Sequence, residues 1–446
     1  MNKSYLLITT LSLLLWSGCA QKSVQSEPVE QNLSKKIVDL EFFPQLTRAY
    51  ARNIQNHTQL LRSQKAYDKK YFEPWSYIEP PFQVRSVKWP FRSYTADKSY
   101  GENLRKLPQS WFDSMLKKSN FGAYGTLNKK AMTLHYTDVR NFPTHKPVLK
   151  DPSVAGEGYP FDYMQNSGVH ANEPLYVSHL SSDGEWAYIF TSYVTGWVRL
   201  RDIVYVNSTV VKKYMKARFI AISDEHYSIK DLKGNFVFKS RVGMRLPIVS
   251  IEKEYFVALG LTDGKNHTPT YTKVKIPLQV AQIETLRLTS NNLVHISDLM
   301  LMSNYGWGGL YEERDCSSTL RDLYAPFGIW LPRNSSQQAK IGKVISLKDL
   351  SLEEKREKIK NEAVPFETLL YKKGHILLYL GVYQGKIAVL HNAWGIRTLD
   401  DGKEGRYILG RTIISSLELG KELKDYDQES GLLAKISSMN IVTQER

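Results

Sequence analysis

The alternation of apolar and polar positions divides the chain into stretches of distinct character. Lys3 precedes the apolar run Tyr5-Leu6-Leu7-Ile8 and then Leu11 to Trp16, ending in Ser17-Gly18-Cys19. A charged start and about a dozen apolar residues match an export signal (1–18), and the run is too short for an ordinary transmembrane helix. Residues 20–36 are polar without apolar period and read, with Cys19, as a tether able to span up to roughly 60 Å when extended. Residues 37–150 are mixed. Leu46, Tyr50, Ile54 and Leu61 recur at helical spacing over Pro44–Leu61, and Trp111, Phe112 and Met115 predict a short helix over Ser110–Leu116. Pro74, Pro80, Pro81 and Pro90 make the region between them loop-rich.

Short β-prone runs follow. Glu185–Phe190 and Gly196–Leu200 form one set; Phe219–Ile222, Asn235–Phe238, Leu246–Ile251 and Tyr255–Leu261 form a second, cut by turns at Asp231–Gly234 and Asp263-Gly264. Evenly spaced short strands indicate small barrels or sandwiches, here two, over 151–210 and 211–285. From 286 to 446 the pattern changes again. The glycine-rich stretch Tyr305–Gly309 precedes Asp315-Cys316-Ser317-Ser318 and a helix with Leu320, Leu323 and Tyr324 on one face. The charged segment Ser346–Glu362 reads as an exposed helix or loop, and two strands, Gly374–Gly381 and Lys386–Asn392, flank a turn at Tyr383–Gly385. The expected architecture is therefore multidomain: an α+β domain preceded by two small β-barrels and a helical, loop-rich N-terminal domain.

A length of 446 residues suits several domains, and 42% apolar with 12% aromatic residues excludes a disordered chain. The net charge of +15 favours anionic partners, but no dense Lys/Arg block or nucleic-acid signature is present, so nucleic acid is not expected. The ten histidines lack metal-ligand spacing and two cysteines are too few for a zinc site, so neither metal nor other cofactor is expected. Of the two cysteines, Cys19 closes the export signal, which leaves Cys316 a lone thiol in an exported chain.

Asp315 sits where a helix N-cap belongs, placing Cys316 in the first turn, where partial positive charge and free N–H groups favour a thiolate and an oxyanion. A nucleophilic cysteine needs a base and the base an orienting partner. His375 begins one strand and His391 ends the next. A three-residue loop would set His375 opposite Ala393 and make His391 its same-face diagonal neighbour; a two-residue loop would put the two on opposite faces.

Together, Tyr305–Gly309, Asp315–Ser318, Gly374-His375-Ile376 and His391-Asn392-Ala393 resemble the NlpC-type family of papain-like cell-wall cysteine peptidases. His375 follows Cys316 by 59 residues (375 − 316), and order and spacing fit that family; Ser318 stands where many members have glycine. Asp183–Trp186 and Gly196-Trp197-Val198 look like bacterial SH3-like modules, and Tyr159–Ser167 looks like the start of one; barrel-core packing accounts for Trp186 and Trp197 better than ligand contact does. The resemblance implies hydrolysis of the bond between γ-D-glutamate and the diamino acid of peptidoglycan stem peptides or muropeptides. Cys316 would be the nucleophile, His375 the base and His391 its orienting partner. It implies a substrate site at Asp315, Ser317, Tyr163 and Tyr305. Ser17-Gly18-Cys19 resembles a bacterial lipoprotein signal, implying lipid at Cys19, a periplasmic-side membrane location and a partner membrane; Trp16 departs from the usual aliphatic residue there. A monomer is expected. Two other readings stay open: a non-catalytic wall-binding lipoprotein, and papain-like chemistry on another amide or acyl ester.

Overall fold

The computed structural model describes residues 37–54 and 64–444. The export signal and Cys19 lie outside the described residues. No described helix is long and apolar enough to cross a membrane.

Three antiparallel sheets follow one another along the chain. The first has seven strands, from Lys129–Thr133 to Ile203–Tyr205, closed around Ala131, Val139, Leu175, Val177, Ile189 and Val198. Its first two strands, Lys129–Thr133 and Thr137–Arg140, come from the stretch expected to belong to the N-terminal domain, so position 150 does not separate the barrel from what precedes it. The reason is register: Lys129–Met132 pairs with Pro174–Val177, across a gap in sequence that periodicity cannot bridge. Trp186 and Trp197 are not in the barrel core: they lie with Tyr188 on the face opposite Ala187, Ile189 and Val198, buried in aromatic packing against Val87 and Phe121 from the chain ahead of the barrel. The second sheet, also of seven strands, runs from Phe219–Ile222 to Ala281–Ile283. Between the barrels lies the helix Ser208–Lys216, capped by the Asn207 side chain on the N–H groups of Thr209 and Val210.

The third sheet has six strands, and against it packs the helix Cys316–Tyr324, through Leu320, Leu323 and Tyr324. The charged segment holds a helix, Leu352–Glu362, started by a Ser351/Glu354 capping box. The predicted strands are longer than expected, His375–Tyr383 and Lys386–Asp400, and a further one, Lys403–Ser415, lies beside them.

The helix expected over Pro44–Leu61 is instead a 3-10 segment, Thr47–Asn53, with residues 55–63 outside the described set. Tertiary contacts override the helical spacing here. Gln45 bonds the backbone of Ile414 with both ends of its amide, Asp39 accepts from Ser416, and Asn53 donates to the carbonyl of Leu380. The segment thus runs as a strap from the edge strand Lys403–Ser415 to the inner strand His375–Tyr383 of the C-terminal sheet. The helix predicted over Ser110–Leu116 is present as Gln109–Lys118.

Both barrels are tied to the C-terminal domain by buried charge. Arg314 reaches Glu225 of the second barrel at 2.7 Å and Asp322 at 2.7 Å. Asp322 also meets His170 of the first barrel at 2.9 Å and Arg321 at 3.0 Å, and the Arg321 guanidinium lies 3.5 Å from the Tyr193 ring centre. Burial alone would raise the Asp322 carboxyl; the surrounding His170, Arg314 and Arg321 hold it well below the carboxylate range instead.

Candidate active site

The site begins at the helix start. Asp315 accepts from the Ser318 N–H at 2.9 Å while the Ser318 hydroxyl accepts from the Asp315 N–H at 2.9 Å, a reciprocal cap that fixes Cys316 as the first helical residue. The same carboxylate is held by Arg333, at 2.6 Å and 3.1 Å. Arg333 also donates to the hydroxyls of Ser317 and, from the first barrel, Ser167. Ser317 is buried, and its hydroxyl is spent on Asp315 and Arg333. Asp315 is therefore both cap and ion-pair partner, and Arg333 is a residue the sequence motifs did not single out.

The glycine-rich stretch has a steric origin. Gly308 and Gly309 take positive φ (60° and 91°), and a Cβ on either would come within 2.6 Å of the backbone of the first-barrel strand Gln165–Val169. Only glycine lets this loop lie flat on that strand. The contact brings Trp307, whose indole donates to the Asp162 carbonyl at 2.9 Å, beside Tyr163 of the barrel. Tyr163 itself donates to Glu157 at 2.7 Å under the Lys150 ammonium.

The histidines reach one face by an unexpected route. The hairpin turn has two residues, Gln384-Gly385, both with positive φ, and pairs Tyr383 with Lys386 and Gly381 with Ala388. That register alone would separate the histidines. A β-bulge at Leu380 inserts one unpaired residue, so that beyond it Tyr379 faces Val389 and Leu378 faces Leu390. The register is thereby the one a three-residue loop would have given. His375 Nε2 lies 2.8 Å from His391 Nδ1, and His391 Nε2 lies 3.0 Å from the Ser415 hydroxyl.

Cys316, His375 and His391 line one cavity of about 610 Å³; Asp315, Cys316, Ser317, Tyr163 and Arg333 line a second of about 260 Å³. Tyr305, Trp307, Cys316 and Gly374 belong to both. The cleft thus has two arms meeting at the thiol. Burial, then Asp315, push the Cys316 thiol up to about 12, against the lowering effect of the N–H groups of Ile376 and Ser317. Burial, then His391 and Lys372, hold His375 well below the imidazole range; burial, then Lys372, hold His391 down to about 3. The free site therefore favours a neutral thiol beside neutral imidazoles. Among the described residues no group of three or more His, Cys, Asp or Glu could hold a metal ion.

Residues 302–405, which contain Cys316, His375 and His391, match the NlpC/P60 family. The chain carries an NlpC/P60 domain. Ahead of it, residues 8–124 match the NLPC_P60 stabilising domain (N term), 147–199 an SH3 domain of SH3b1 type, and 207–251 an SH3 domain of SH3b2 type. An NlpC/P60 endopeptidase from Photobacterium damselae subsp. piscicida shares the fold, with a TM-score of 0.78 at 22% identity over 89% of this chain and 97% of that one. An NlpC/P60 family protein from Bacillus cereus ATCC 10987 gives 0.47 at 13% identity, over 70% and 99%. No curated protein matches the chain. The NlpC/P60 domain, the two SH3 domains and the N-terminal domain stand in the order expected from sequence. Arg333 and Ser415 went unforeseen, since an arginine or a serine in a strand-loop context carries no local signal of its partner.

Proposed function

We propose that the chain is a murein endopeptidase in which Cys316 attacks the carbonyl between γ-D-glutamate and the diamino acid of a stem peptide. The observation that carries this reading is the hydrogen-bonded line His375–His391–Ser415 ending beside Cys316. Its proton positions follow from its far end. Ser415 donates its proton to the Ser416 carbonyl at 2.9 Å, so its oxygen can only accept from His391 Nε2–H. His391 Nδ1 is then an acceptor for His375 Nε2–H, which leaves His375 Nδ1 without a proton. That nitrogen takes the thiol proton as sulfur bonds to the carbonyl carbon, and returns it to the leaving amine as the C–N bond breaks. Water then cleaves the thioester with the same nitrogen as base. The helix-start N–H of Cys316 faces the oxyanion.

In this reading the smaller arm takes the L-alanyl-γ-D-glutamyl half, with Asp315 and Tyr163 or Tyr305 receiving its free amine. The chain acts as a monomer, held by lipid at Cys19 on the periplasmic side of a bacterial membrane. A Cys19→Ser protein should move to the soluble fraction, and retention of the full-length variant in membranes would sink the anchor. Purified muropeptides digested by the protein should give mass-spectrometric products split after γ-D-glutamate. A folded protein that binds wall but cuts no tri- or tetrapeptide would turn the reading to a binding lipoprotein.

Ser415→Ala tests the proton bookkeeping. Losing one hydrogen bond of about 1 kcal/mol should lower kcat roughly fivefold with KM unchanged, and Ser415→Thr, which keeps the hydroxyl, should restore it. An equal loss in both variants would show packing, not proton placement.

A further inference from the structure

The larger arm of the cleft is cationic in a way the proposed chemistry does not use. Five basic residues line it: Lys372, Lys373, Arg397, Arg406 and Lys435, with Asp427 the one carboxylate on its walls. The arginines are balanced. Arg397 lies 3.3 Å from Asp427 and 2.7 Å from Glu404, and Arg406 lies 2.6 Å from Glu404. The three lysines have no ion-pair partner among the described residues. Lys372 is half-buried, and burial followed by repulsion from Lys435 and Arg406 lowers its pKa. A cation in that position lacks an anion. Between the lysines, the arm is lined by Ile396, Leu419 and Leu432.

We propose that this arm is a carboxylate-binding subsite for the leaving half of the substrate, with Lys372 and Lys435 as its cations. The proposal rests on the peptidase reading above. If the smaller arm holds the half ahead of the scissile bond, the residue behind it must lie in the larger one, because both arms meet at Cys316. A diamino acid has an aliphatic stem that suits Ile396, Leu419 and Leu432. Its anionic end suits the lysine rim: the side-chain carboxylate of a diaminopimelate-type residue. A lysine side chain in the same arm would bring an ammonium against three others without the carboxylate that accompanies it in diaminopimelate.

The test uses L-alanyl-γ-D-glutamyl tripeptides ending in diaminopimelate, in its side-chain amide, in its terminal amide, and in lysine. kcat/KM is measured for each with the native protein and with Lys372→Gln/Lys435→Gln. One charge-assisted contact predicts about a tenfold preference for the diaminopimelate peptide over the lysine peptide, falling to within about twofold in the double variant. Loss of Lys372 also relieves the depression of His375, but that acts on every substrate alike and cancels in the ratio. Loss of the preference on side-chain amidation, with its retention on terminal amidation, upholds the side-chain carboxylate as the ligand; the reverse pattern would overturn the subsite, because the lysine peptide carries the same terminal carboxylate. Equal rates on all four peptides, or a preference that survives the double variant, would overturn the subsite.

A second measurement separates this from failure of the peptidase reading. Calorimetric titration of Cys316→Ala with diaminopimelyl-D-alanine and with lysyl-D-alanine reads the arm without cleavage. Tighter binding of the acidic fragment, lost when both lysines are replaced, upholds the subsite even if no peptide is cut. Equal binding of the two fragments overturns it.

Discussion

Cys316→Ala is expected to lower muropeptide cleavage by about 10⁴-fold or more while leaving the fold intact. The size of the effect comes from the covalent route. Without sulfur there is no thioester, and His375 Nδ1 has no thiol to deprotonate; what remains is an oriented cleft. The structural cost is small because the thiol is not a core anchor. Cys316 is only partly buried, and the helix start is held by the Asp315–Ser318 cap and by Arg333, none of which involves sulfur. Thermal unfolding should therefore match the native protein. A variant that still cuts at a tenth of the native rate would remove the thiol from the mechanism, whatever the histidines do.

Arg314→Met should destabilise the assembly by about 3–5 kcal/mol, because it leaves Glu225 and Asp322 buried without their shared cation. Methionine fills much of the same volume, so the loss is electrostatic more than steric. The effect should also change the shape of unfolding. Arg314 lies in the C-terminal domain, Glu225 in the second barrel, and His170 on Asp322 comes from the first. With the central cation gone, urea denaturation followed by tryptophan fluorescence and by circular dichroism should give transitions that no longer coincide. Coincident transitions with a loss under about 1 kcal/mol would mean that Arg241, which lies 2.9 Å from Glu225, and Arg321 suffice to hold both carboxylates.

What the sequence disclosed follows the range of the interactions involved. The Asp315 cap, the helix from Cys316 and the short-strand character of the two barrels are local, written in neighbouring side chains and spacing. The pairing of Lys129–Met132 with Pro174–Val177 is not, and so the first barrel's opening strands went to the wrong side of a boundary. The strap at the N-terminal side is longer-ranged still: Gln45 meets Ile414, 369 residues away, and helical spacing at Leu46, Tyr50 and Ile54 gives no hint of it. Of the site, the thiol and the imidazoles could be named because their chemistry is scarce in this chain. Arg333, Ser415, Lys372 and Lys435 could not, because serines and basic residues are common and only a fold decides which ones face a cleft.

The hairpin that carries His375 illustrates how two departures can cancel. The two-residue turn reverses which side of the sheet each position faces, and the bulge at Leu380 reverses it again. Facing is thus a matter of parity: with the turn length and the bulge unchanged, gaining or losing one residue between His375 and His391 turns one imidazole away from the thiol, while a change of two leaves both in place. The Leu380 carbonyl at this hinge of parity is bonded by Asn53, 327 residues earlier in the chain. Where turn and bulge persist, length variation among homologues should therefore come in even steps along this hairpin, and a lineage that lost the bulge at unchanged length would be expected to have gained a residue at the turn.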